Sequence, residues 1–450
     1  MEKKKMLDKY ETENIFHSWT FQPEKSPQRV VSAKGVRFEL EDGRKLLDFS
    51  SCFVSHNIGH QNENVINAIK DQADKLASFA PVFSNEPRAR LAKELEEITP
   101  GSLSRSFITL GGSEANEVAI KIVHQYTGKR KLVTRYPSYH GGLSASMTSS
   151  SGDPRNWFQV QGGTEIIRVP EPYPYRCFFG TDNPTDCAMK TIEYTRRVLE
   201  YEGGRRSIAG IMIEAITGAN GVIVPPDEYL PALRELCDEF GILLICDEVM
   251  TGFGRTGEWF AVDNWNVKPD IMTVAKGITC GYVPLGATIV SKEIGDYFKD
   301  HFFGMGATYA GHALGCAAAL ATINEYKDNN LIENSRNMGK YLIDECNDKI
   351  RKHKCVGDIR GKGLFVGIEL VKNKETKEPL VRHDERVNRG TNPKKELAKK
   401  LMELGMIAMV ANPSSTIAVA PPLIVNKDEI DEGIDILDKA LYEIDERYCY

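Results

Sequence analysis

The feature that most constrains this chain is a series of short apolar segments, each ending in turn or polar residues. Segments of this kind are typical of strands buried on both faces of a sheet. Between some of them lie patterns with apolar or small residues at i, i+3 and i+4, which are typical of helices packed on a core. Strands alternating with helices predict a mostly parallel α/β sheet. The predicted strands are Ser106–Leu110, Lys131–Thr134, Ile208–Ile213, Ile242–Cys246 and Ile271–Ala275, and the clearest predicted helices are Ser113–Tyr126 and Tyr229–Phe240.

The two ends of the chain differ from this middle part. Val36 to Leu40 and Lys45 to Phe49 flank an Asp-Gly turn and predict a β-hairpin. Further on come charged amphipathic helices, a strand-like segment over Gly363 to Leu370, and a last helix from Asp428. A chain of 450 residues is expected to form about two or three folding units. We therefore expect a large α/β domain over residues 61–330 and a smaller α+β domain built from residues 1–60 and 331–450.

Charge and composition argue against several classes of protein. Lys and Arg number 57 and Asp and Glu 63, a net charge of −6 without a long block of one sign, so we expect no nucleic-acid partner. The apolar stretches fall far short of the ~20 residues that a membrane helix needs, and the charged N-terminus lacks the apolar region of a secretory signal. We therefore expect no membrane span and a cytoplasmic location. The ten cysteines contain no C-x-x-C pair, so we expect reduced thiols and no metal.

Two charged residues follow predicted strands, at the edge where open α/β sheets bind ligands. Asp247 follows Ile242–Cys246, and Lys276 follows Ile271–Ala275. Asp247 taken alone is explained equally well as a carboxylate that caps the next loop. A lysine at a buried strand end must be paired, neutralised or used covalently, because burying an isolated ammonium costs several kcal/mol. A lysine with a lowered pKa is the usual nucleophile for a Schiff base with a carbonyl compound, although a structural lysine is the commoner explanation of one such residue.

Two further segments lie at the same predicted edge. Gly111-Gly112-Ser113 joins a predicted strand to a predicted helix, where free N–H groups and the helix dipole favour a phosphate by about 0.3–1 kcal/mol, or up to ~2 when partly buried. Ordinary turn chemistry also explains these glycines. Tyr139 places an aromatic ring after another predicted strand, and a packed surface loop is its alternative explanation.

Together these four features match the needs of pyridoxal phosphate. The phosphate of this cofactor needs an anion site, its ring a stacking partner, its pyridine nitrogen a carboxylate and its aldehyde an amine. A carboxylate at 4 Å is worth up to ~4 kcal/mol at an effective dielectric constant of 20, enough to keep the pyridine nitrogen protonated. The sequence therefore predicts a pyridoxal-phosphate site.

The sequence resembles the class III pyridoxal-phosphate-dependent aminotransferases over nearly the whole chain. The most specific match is the run DEVMTGFGRTG over Asp247 to Gly257, followed by Pro269–Ile271 and Lys276-Gly277. The resemblance implies an aspartate-aminotransferase-like fold, with a large, mostly parallel sheet domain and a small α+β domain from both chain ends. Supporting matches are Gly112–Asn116, Tyr139–Gly141, Gly59-His60, Thr308 and Pro421–Leu423.

The resemblance implies a role for each matched residue. Lys276 is the residue implied to bind the cofactor aldehyde and later to move a proton between substrate and cofactor. Asp247 is implied to pair with the pyridine nitrogen. The resemblance also implies a homodimer, or a dimer of dimers, with active sites at the subunit interface. The remaining implied contacts are Gly112 and Ser113 with the phosphate, Tyr139 and Val249 with the two faces of the ring, Glu214 with the floor of the site, and Thr308 with the phosphate held by the partner subunit.

Two positions depart from the pattern of the family. Many relatives carry an arginine ten residues before the Pro-Pro pair, where it clamps a substrate carboxylate, and this position is Ala411. Others carry a glutamate five residues after the position of Glu214, and here that position is Ala219. Because an acidic substrate group still needs a cation, we name Arg155 as the candidate replacement. An exposed loop arginine is the alternative explanation.

The resemblance also narrows the substrate. Phe53 and Val54 occupy positions that line the substrate pocket in amine and ω-amino-acid transaminases. His17–Gln22, which contains Trp19, is similar to a segment of the branch that acts on taurine and other ω-amino acids. We therefore expect a short ω-amino acid as donor, taurine first and β-alanine second, with 2-oxoglutarate or pyruvate as acceptor.

Two alternatives stay open at the level of sequence. Class III members include racemases and an aminomutase, which use the same lysine and aspartate without a separate amino acceptor. A non-catalytic nucleotide-binding α/β protein is the second alternative, but the chain lacks a G-x-G-x-x-G motif after a strand with an acidic residue about twenty positions on.

Overall fold

The computed structural model describes residues 2–22, 27–152, 165–382, 385, 390, 392–411 and 415–450. The predicted hairpin is present near the N-terminus, and the backbone N–H of Leu40 donates to the carbonyl of Arg44 at 2.9 Å to close it. The elements of this part are α1 (Glu2–Asn14), β1 (Val30–Lys34), β2 (Arg37–Leu40), β3 (Lys45–Asp48) and the single turn α2 (Ser51–Val54).

The middle of the chain alternates strands and helices, as the apolar segments predict. Its elements are α3 (Glu63–Lys75), α4 (Glu86–Ile98), β4 (Leu103–Thr109), α5 (Gly112–Thr127), β5 (Lys131–Tyr136), α6 (Ser144–Ser149), β6 (Glu165–Pro170), α7 (Pro184–Tyr201), β7 (Ile208–Glu214), α8 (Tyr229–Phe240), β8 (Leu243–Asp247), β9 (Ile271–Val274), β10 (Gly286–Ser291), α9 (Lys292–Tyr297) and α10 (Ala313–Asp328).

Seven of these strands form one sheet in the order β4-β10-β9-β8-β7-β5-β6. All run in the same direction except β10, which is antiparallel to both of its neighbours. The predicted mostly parallel α/β sheet is therefore confirmed. Strands β6 and β10 were not predicted, because they begin at Glu165 and at the small residues Gly286-Ala287 and so do not open as apolar runs.

Both faces of the sheet are covered by apolar side chains. Successive residues of a strand point to opposite faces, so Met212 and Ile245 pack with α5, while Ile211 and Leu244 belong to the larger cluster that includes α8. Burial on both faces explains why the central strands are continuous apolar runs. Because both faces are buried, polar side chains of these strands can lie only at the strand ends.

The last part of the chain adds a second sheet, in the order β11-β12-β16-β15, and contributes one strand to the N-terminal sheet. That strand, β14, pairs in parallel with β3 and so joins the two ends of the chain. The division into domains at residues 60 and 330 stays a prediction. Across the described residues we find no helix that has both the length and the apolar character to cross a membrane. The elements are α11 (Leu331–Glu345), β11 (Val356–Lys362), β12 (Phe365–Asn373), β13 (Glu378–Pro379), α12 (Pro393–Leu404), β14 (Met406–Ile407), β15 (Met409–Ala411), β16 (Thr416–Val419) and α13 (Lys427–Tyr448).

Candidate active site

Polar residues meet at one edge of the large sheet, where neighbouring parallel strands end. Glu214 ends β7 and Asp247 ends β8, and the two are paired in register. Lys276 follows β9 by two residues, and Tyr139 follows β5 by three. The sequence placed Asp247, Lys276 and Tyr139 at one sheet edge, where the structure has them, and Glu214, which only the resemblance implied, lies beside them.

The Asp247 carboxylate is buried and accepts three hydrogen bonds. Its Oδ1 accepts the backbone N–H of Val249 at 3.0 Å. Its Oδ2 accepts the side-chain amide of Asn116 and Nδ1–H of His140, both at 2.8 Å. Hydrogen bonds to a charged acceptor are about twice as strong as neutral ones, so this set fixes the carboxylate in one orientation.

Asn116 and His140 lie within the two motifs that match the family, although no role was predicted for either residue. The Oδ1 of Asn116 accepts the hydroxyl of Thr273 at 2.6 Å, so the amide must point its Nδ2 donors at Asp247 and at the carbonyl of His140. The backbone N–H of His140 donates to Ser150 Oγ at 2.7 Å. The signal that pointed to both residues was their place inside the two matched motifs.

Glu214 holds the loops on either side of the site. Its Oε1 accepts the backbone N–H of Tyr139 at 3.1 Å, and its Oε2 accepts that of Gly218 at 2.9 Å. Burial raises the pKa of this carboxyl, and Asp247 acts in the same direction. Glu214 therefore holds the backbone of Tyr139 in place through this hydrogen bond.

A buried ion pair lies behind Glu214 and was not foreseen from the sequence. Nε of Arg135 is 3.0 Å from Oε2 of Glu171, and both side chains are almost completely inaccessible. Arg135 also donates to the carbonyl oxygen of Glu214. Burial raises the pKa of Glu171 to about 7, while the charge of Arg135 opposes this shift. The pair supports the strand end that carries Glu214.

The glycine turn at the start of α5 lies against the segment after Asp247. A Cβ atom built on Gly112 would lie 2.8 Å from Cγ1 of Val249, closer than real Cβ contacts allow. Ser113 Oγ accepts the backbone N–H of Gly142 at 3.1 Å. The helix start, the segment after Asp247 and the loop after Tyr139 are therefore packed together, and only glycine fits at position 112.

Lys276 begins a short 3₁₀ turn, Lys276–Ile278, and is half-buried. Its φ of 47° lies in the left-handed region, which costs an L-residue roughly 1–2 kcal/mol. The next residue, Gly277, is enclosed, since a Cβ there would lie 2.8 Å from Nδ2 of Asn57 and 3.0 Å from Cβ of Phe253. The carbonyl of Gly277 accepts the hydroxyl of Tyr326 at 2.7 Å. Tight packing around Gly277 thus holds the lysine in a strained backbone conformation.

The four residues predicted to bind substrate differ in where the structure places them. Trp19 and Phe53 are 63% and 59% exposed and lie edge to face, with ring centroids 5.8 Å apart. Val54 is only 1% exposed and packs in the main apolar core, so in this chain it supports the turn from inside. Arg155 lies outside the described residues. Thr308, implied to serve the partner subunit, is exposed.

Phe53 and Val54 belong to α2, in which four consecutive residues have positive φ. The angles are 44° at Ser51, 48° at Cys52, 61° at Phe53 and 63° at Val54, which makes α2 one turn of left-handed helix. It is closed by i→i+4 bonds, including 2.8 Å from the N–H of Ser55 to the carbonyl of Ser51. Backbone strain of this kind is common at functional sites.

A buried arginine ties this turn to the C-terminal part of the chain. Nη2 of Arg255 donates to Oδ1 of Asn57 at 2.7 Å and to Oγ of Ser51 at 3.3 Å. Nη1 donates to the carbonyls of Leu364 at 2.9 Å and Pro421 at 2.6 Å. Burial lowers the pKa of Arg255 to about 10, so it stays charged at neutral pH. In the part of the chain that the structure describes, no carboxylate forms an ion pair with it.

Comparison with known proteins identifies the family. The family model described as Aminotransferase class-III matches residues 21–441. This chain belongs to the class III aminotransferases. Enzymes of this family use pyridoxal phosphate, which is therefore its cofactor, and they transfer an amino group from a donor to a 2-oxo acid.

Relatives of this class III aminotransferase have more than one activity. A taurine:2-oxoglutarate aminotransferase from Bifidobacterium kashiwanohense, solved with PLP and glutamate, is 38% identical, has a TM-score of 0.93 and covers 99% of each chain. A hypotaurine/taurine–pyruvate aminotransferase from Paracoccus denitrificans is 33% identical over 93% of this chain and 92% of the relative. A leucine/methionine racemase from Thermococcus litoralis is 34% identical over 94% of this chain and 92% of the relative.

Proposed function

We propose that this class III aminotransferase moves the amino group of a short ω-amino acid, taurine first and β-alanine second, to 2-oxoglutarate or pyruvate. The observation that carries the proposal is the similarity to the taurine:2-oxoglutarate aminotransferase over 99% of both chains. The sequence departures agree with it. With Ala411 and Ala219 in place of the arginine and glutamate of other branches, the donor is not expected to be recognised as in ornithine-type or 4-aminobutyrate-type relatives.

The arrangement of residues fits pyridoxal phosphate. Gly112 and Ser113 would hold the phosphate at the start of α5, because the first N–H groups of a helix have no partner within it. Val249 and Tyr139 would lie on the two faces of the ring, and Glu214 would fix the Tyr139 loop. Thr308 would serve the phosphate of the partner subunit.

The bound cofactor supplies an electron sink that stabilises negative charge on the substrate carbon. Asp247 would keep the proton on the pyridine nitrogen, since its carboxylate is held in one orientation by Asn116 and His140. Lys276 would bind the cofactor when no substrate is present and would then carry the proton from the substrate carbon that bears the amino group. Trp19 and Phe53 would form an aromatic wall on the donor side.

The acid group of the donor needs a cation, and we assign this role to Arg155 from the sequence. Arg155→Ala is expected to raise the KM for taurine while leaving cofactor affinity unchanged, because the residue would contact only the donor. An unchanged KM for taurine would remove Arg155 from the site.

The test of the proposed function is the visible spectrum of the purified holoenzyme without acceptor. Taurine, β-alanine and a simple alkylamine are titrated separately. Taurine should bleach the band of the lysine-bound cofactor, and the alkylamine should not. A band that none of the three bleaches would leave the family intact and contradict the proposed donors.

A second candidate is an amino-acid racemase, favoured by the similarity to the Thermococcus litoralis racemase. A racemase inverts one amino acid without an acceptor, whereas a transaminase needs a 2-oxo acid. We expect no change in the optical rotation of leucine or methionine and full dependence of turnover on 2-oxoglutarate or pyruvate. Inversion without acceptor would establish the second candidate in place of the first.

We also propose that the enzyme is a homodimer. Large apolar side chains are exposed on the loop between α3 and α4, where Phe79 and Phe83 flank Val82, which is 86% exposed. Exposed apolar patches of this kind mark association surfaces. Sedimentation velocity should give a dimer, and Val82→Asp should shift it toward monomer, whereas Tyr201→Asp, at an exposed residue at the end of α7, should not. A wild-type monomer would contradict the proposal.

A further inference from the structure

Four residues capable of binding a metal recur at every fourth position from the end of β3 through the left-handed turn and the loop beyond it: Asp48, Cys52, His56 and His60. One ligand atom from each of Cys52, His56 and His60 lies within 4.8 Å of the other two. The proposed transamination uses none of the four. The cluster combines a thiol, two imidazoles and a carboxylate, although no C-x-x-C pair marks it in the sequence.

Asp48 holds His60 as a supporting carboxylate holds a metal-binding histidine. Oδ2 of Asp48 accepts Nε2–H of His60 at 3.0 Å and lies 3.5 Å from Sγ of Cys52. A histidine that ligates a metal usually donates its other ring N–H to a carboxylate, so Nδ1 of His60 is the nitrogen that can bind the ion. The Asp48 oxygens already accept the N–H groups of Ser50 and Cys52, so Asp48 supports the site and is not itself a ligand.

The fourth residue, His56, is held with one nitrogen available. Ser55 Oγ has a single proton, which it donates to the carbonyl of Cys52 at 2.8 Å. The same oxygen is 2.9 Å from Nδ1 of His56, and with the hydroxyl proton on the carbonyl it accepts Nδ1–H of that ring. In this tautomer Nε2 of His56 keeps its lone pair, which is the form of imidazole that binds metals.

We propose that Cys52, His56 and His60 bind one divalent cation of the zinc type, with a water molecule as the fourth ligand and Asp48 holding the His60 ring. A set of one sulfur and two nitrogens suits Zn²⁺ and does not suit Mg²⁺ or Ca²⁺, which prefer oxygen ligands alone. Binding forms three bonds from the protein to the ion and releases one proton, from the Cys52 thiol; His60 keeps its Nε2–H on Asp48 and binds through Nδ1. Cys52 is exposed, so the ion can enter from solvent.

A second cluster on the chain provides the comparison. Cys355, Asp445 and Cys449 also bring ligand atoms within 4.8 Å of one another. Its members are two thiols and a carboxylate without an imidazole, and Cys355 is buried, whereas Cys52 of the first cluster is exposed and lets the ion enter from solvent. We therefore expect zinc at the first cluster in preference to the second.

The experiment is a competition between the holoenzyme, first dialysed against a chelator, and a chromophoric zinc indicator. We expect one zinc ion per chain. Cys52→Ser should weaken zinc binding by at least about 100-fold, because it removes a direct ligand and even supporting contacts account for 10–100-fold. His56→Gln should weaken it as well, and Cys449→Ser should leave it unchanged. Cobalt in place of zinc should show the visible d–d bands of a tetrahedral site in wild type and not in Cys52→Ser.

Three results would overturn the proposal. The first is a wild-type holoenzyme that does not compete with the indicator. The second is zinc binding that survives both Cys52→Ser and His56→Gln. The third is binding that Cys449→Ser removes, which would place the ion at the second cluster. Each result is independent of turnover, so the proposed function can fail or succeed separately.

Zinc at this cluster would also bear on the donor pocket, a consequence that rests on the proposed function. The ion would bridge the turn that carries Phe53 to the loop that carries His60 and so restrain the aromatic wall. Added zinc should change the KM for taurine in wild type and have no such effect in Cys52→Ser. A change of equal size in both proteins would mean that zinc acts elsewhere.

Discussion

At the scale of single residues, the site depends on how each charged group is held as well as on its identity. Asp247 receives one donor from its own loop, one from α5 and one from the loop after β5. Three separate segments therefore set the orientation of one carboxylate. Substitutions at Asn116 or His140 would act on the cofactor through Asp247 without touching the substrate.

Lys276→Ala tests the central assignment. Loss of the amine removes both the covalent link and the group that carries the proton, so kcat should fall by at least about 10²–10⁴-fold. The visible band of the lysine-bound cofactor should be absent from the spectrum. Lys268→Ala, at an exposed lysine in the loop before β9, is the matched control and should leave both unchanged. A Lys276→Ala enzyme with normal turnover would disprove the assignment.

Gly112→Ala tests the anion site. A methyl group 2.8 Å from Val249 Cγ1 forces a shift at the helix start, and overpacking of this kind costs about 1–3 kcal/mol. We expect the Kd for pyridoxal phosphate to rise roughly 10–100-fold, measured by titrating apoenzyme with cofactor. Gly111→Ala is the control, because its φ of 178° suits any residue and no atom lies within 4 Å of the added carbon. Equal affinities in the two variants would contradict this account.

At the scale of elements, the left-handed turn α2 needs an external cause. Four L-residues with positive φ cost roughly 1–2 kcal/mol each relative to ordinary conformations. Asp48 holds the start of the turn by accepting the N–H groups of Ser50 and Cys52, at 3.1 Å each. Ser51 Oγ donates to the carbonyl of Ala420 at 2.6 Å, and Arg255 binds Ser51 from the other side. Long-range contacts therefore impose a shape that local propensity opposes.

Arg255→Lys should release this turn. One lysine ammonium cannot reproduce the hydrogen bonds of both guanidinium nitrogens. Nη2 of Arg255 reaches Ser51 and Asn57, and Nη1 reaches the carbonyls of Leu364 and Pro421. Leaving buried carbonyls without donors costs about 1–3 kcal/mol each, so the melting temperature should fall by several degrees. Differential scanning calorimetry measures it. The control is Arg336→Lys, at a half-exposed arginine bonded to Gly257 and Glu258, which should change the melting temperature little. A similar drop in melting temperature in both variants would contradict the account.

At the scale of the whole molecule, buried carboxyls make stability depend on pH. Burial raises the pKa of Asp263 to about 6 from an ordinary 3.8, although the N–H of Phe260 bonded to its Oδ2 opposes the shift. Between these pH values the folded chain holds a proton that the unfolded chain has lost. The contribution of Asp263 to the free energy of unfolding therefore falls as pH rises from about 4 to above 6.

Asp263→Asn should abolish this pH-dependent loss of stability, because asparagine does not titrate. Its amide oxygen can still accept the N–H of Phe260. The free energy of unfolding of the variant minus that of wild type should increase by about 1 kcal/mol between pH ~4 and pH ~8. Denaturant unfolding at the two pH values provides the measurement, with Glu235→Gln, at an exposed carboxyl on α8, as the control. A stability difference between variant and wild type that does not vary with pH would contradict the pKa of Asp263.

The sequence by itself determined five of the seven strands of the large sheet and the polar residues at its edge. Buried parallel strands must be apolar, so their ends at Asp247 and Glu214 stand out as polar residues directly after apolar runs. The glycines at the start of α5 and the lysine after β9 are marked in the same local way. Local pattern was sufficient because each of these signals lies within a few residues of a strand.

Only the tertiary structure decided how these residues are supported. Two of the three donors to Asp247 lie 107 and 131 residues away, in His140 and Asn116, and Arg255 contacts residues up to 204 positions distant. No periodicity encodes such contacts, since they depend on where α5 and the loops pack. The same reason separates Phe53 from Val54, adjacent residues that a strained turn directs to the surface and to the core.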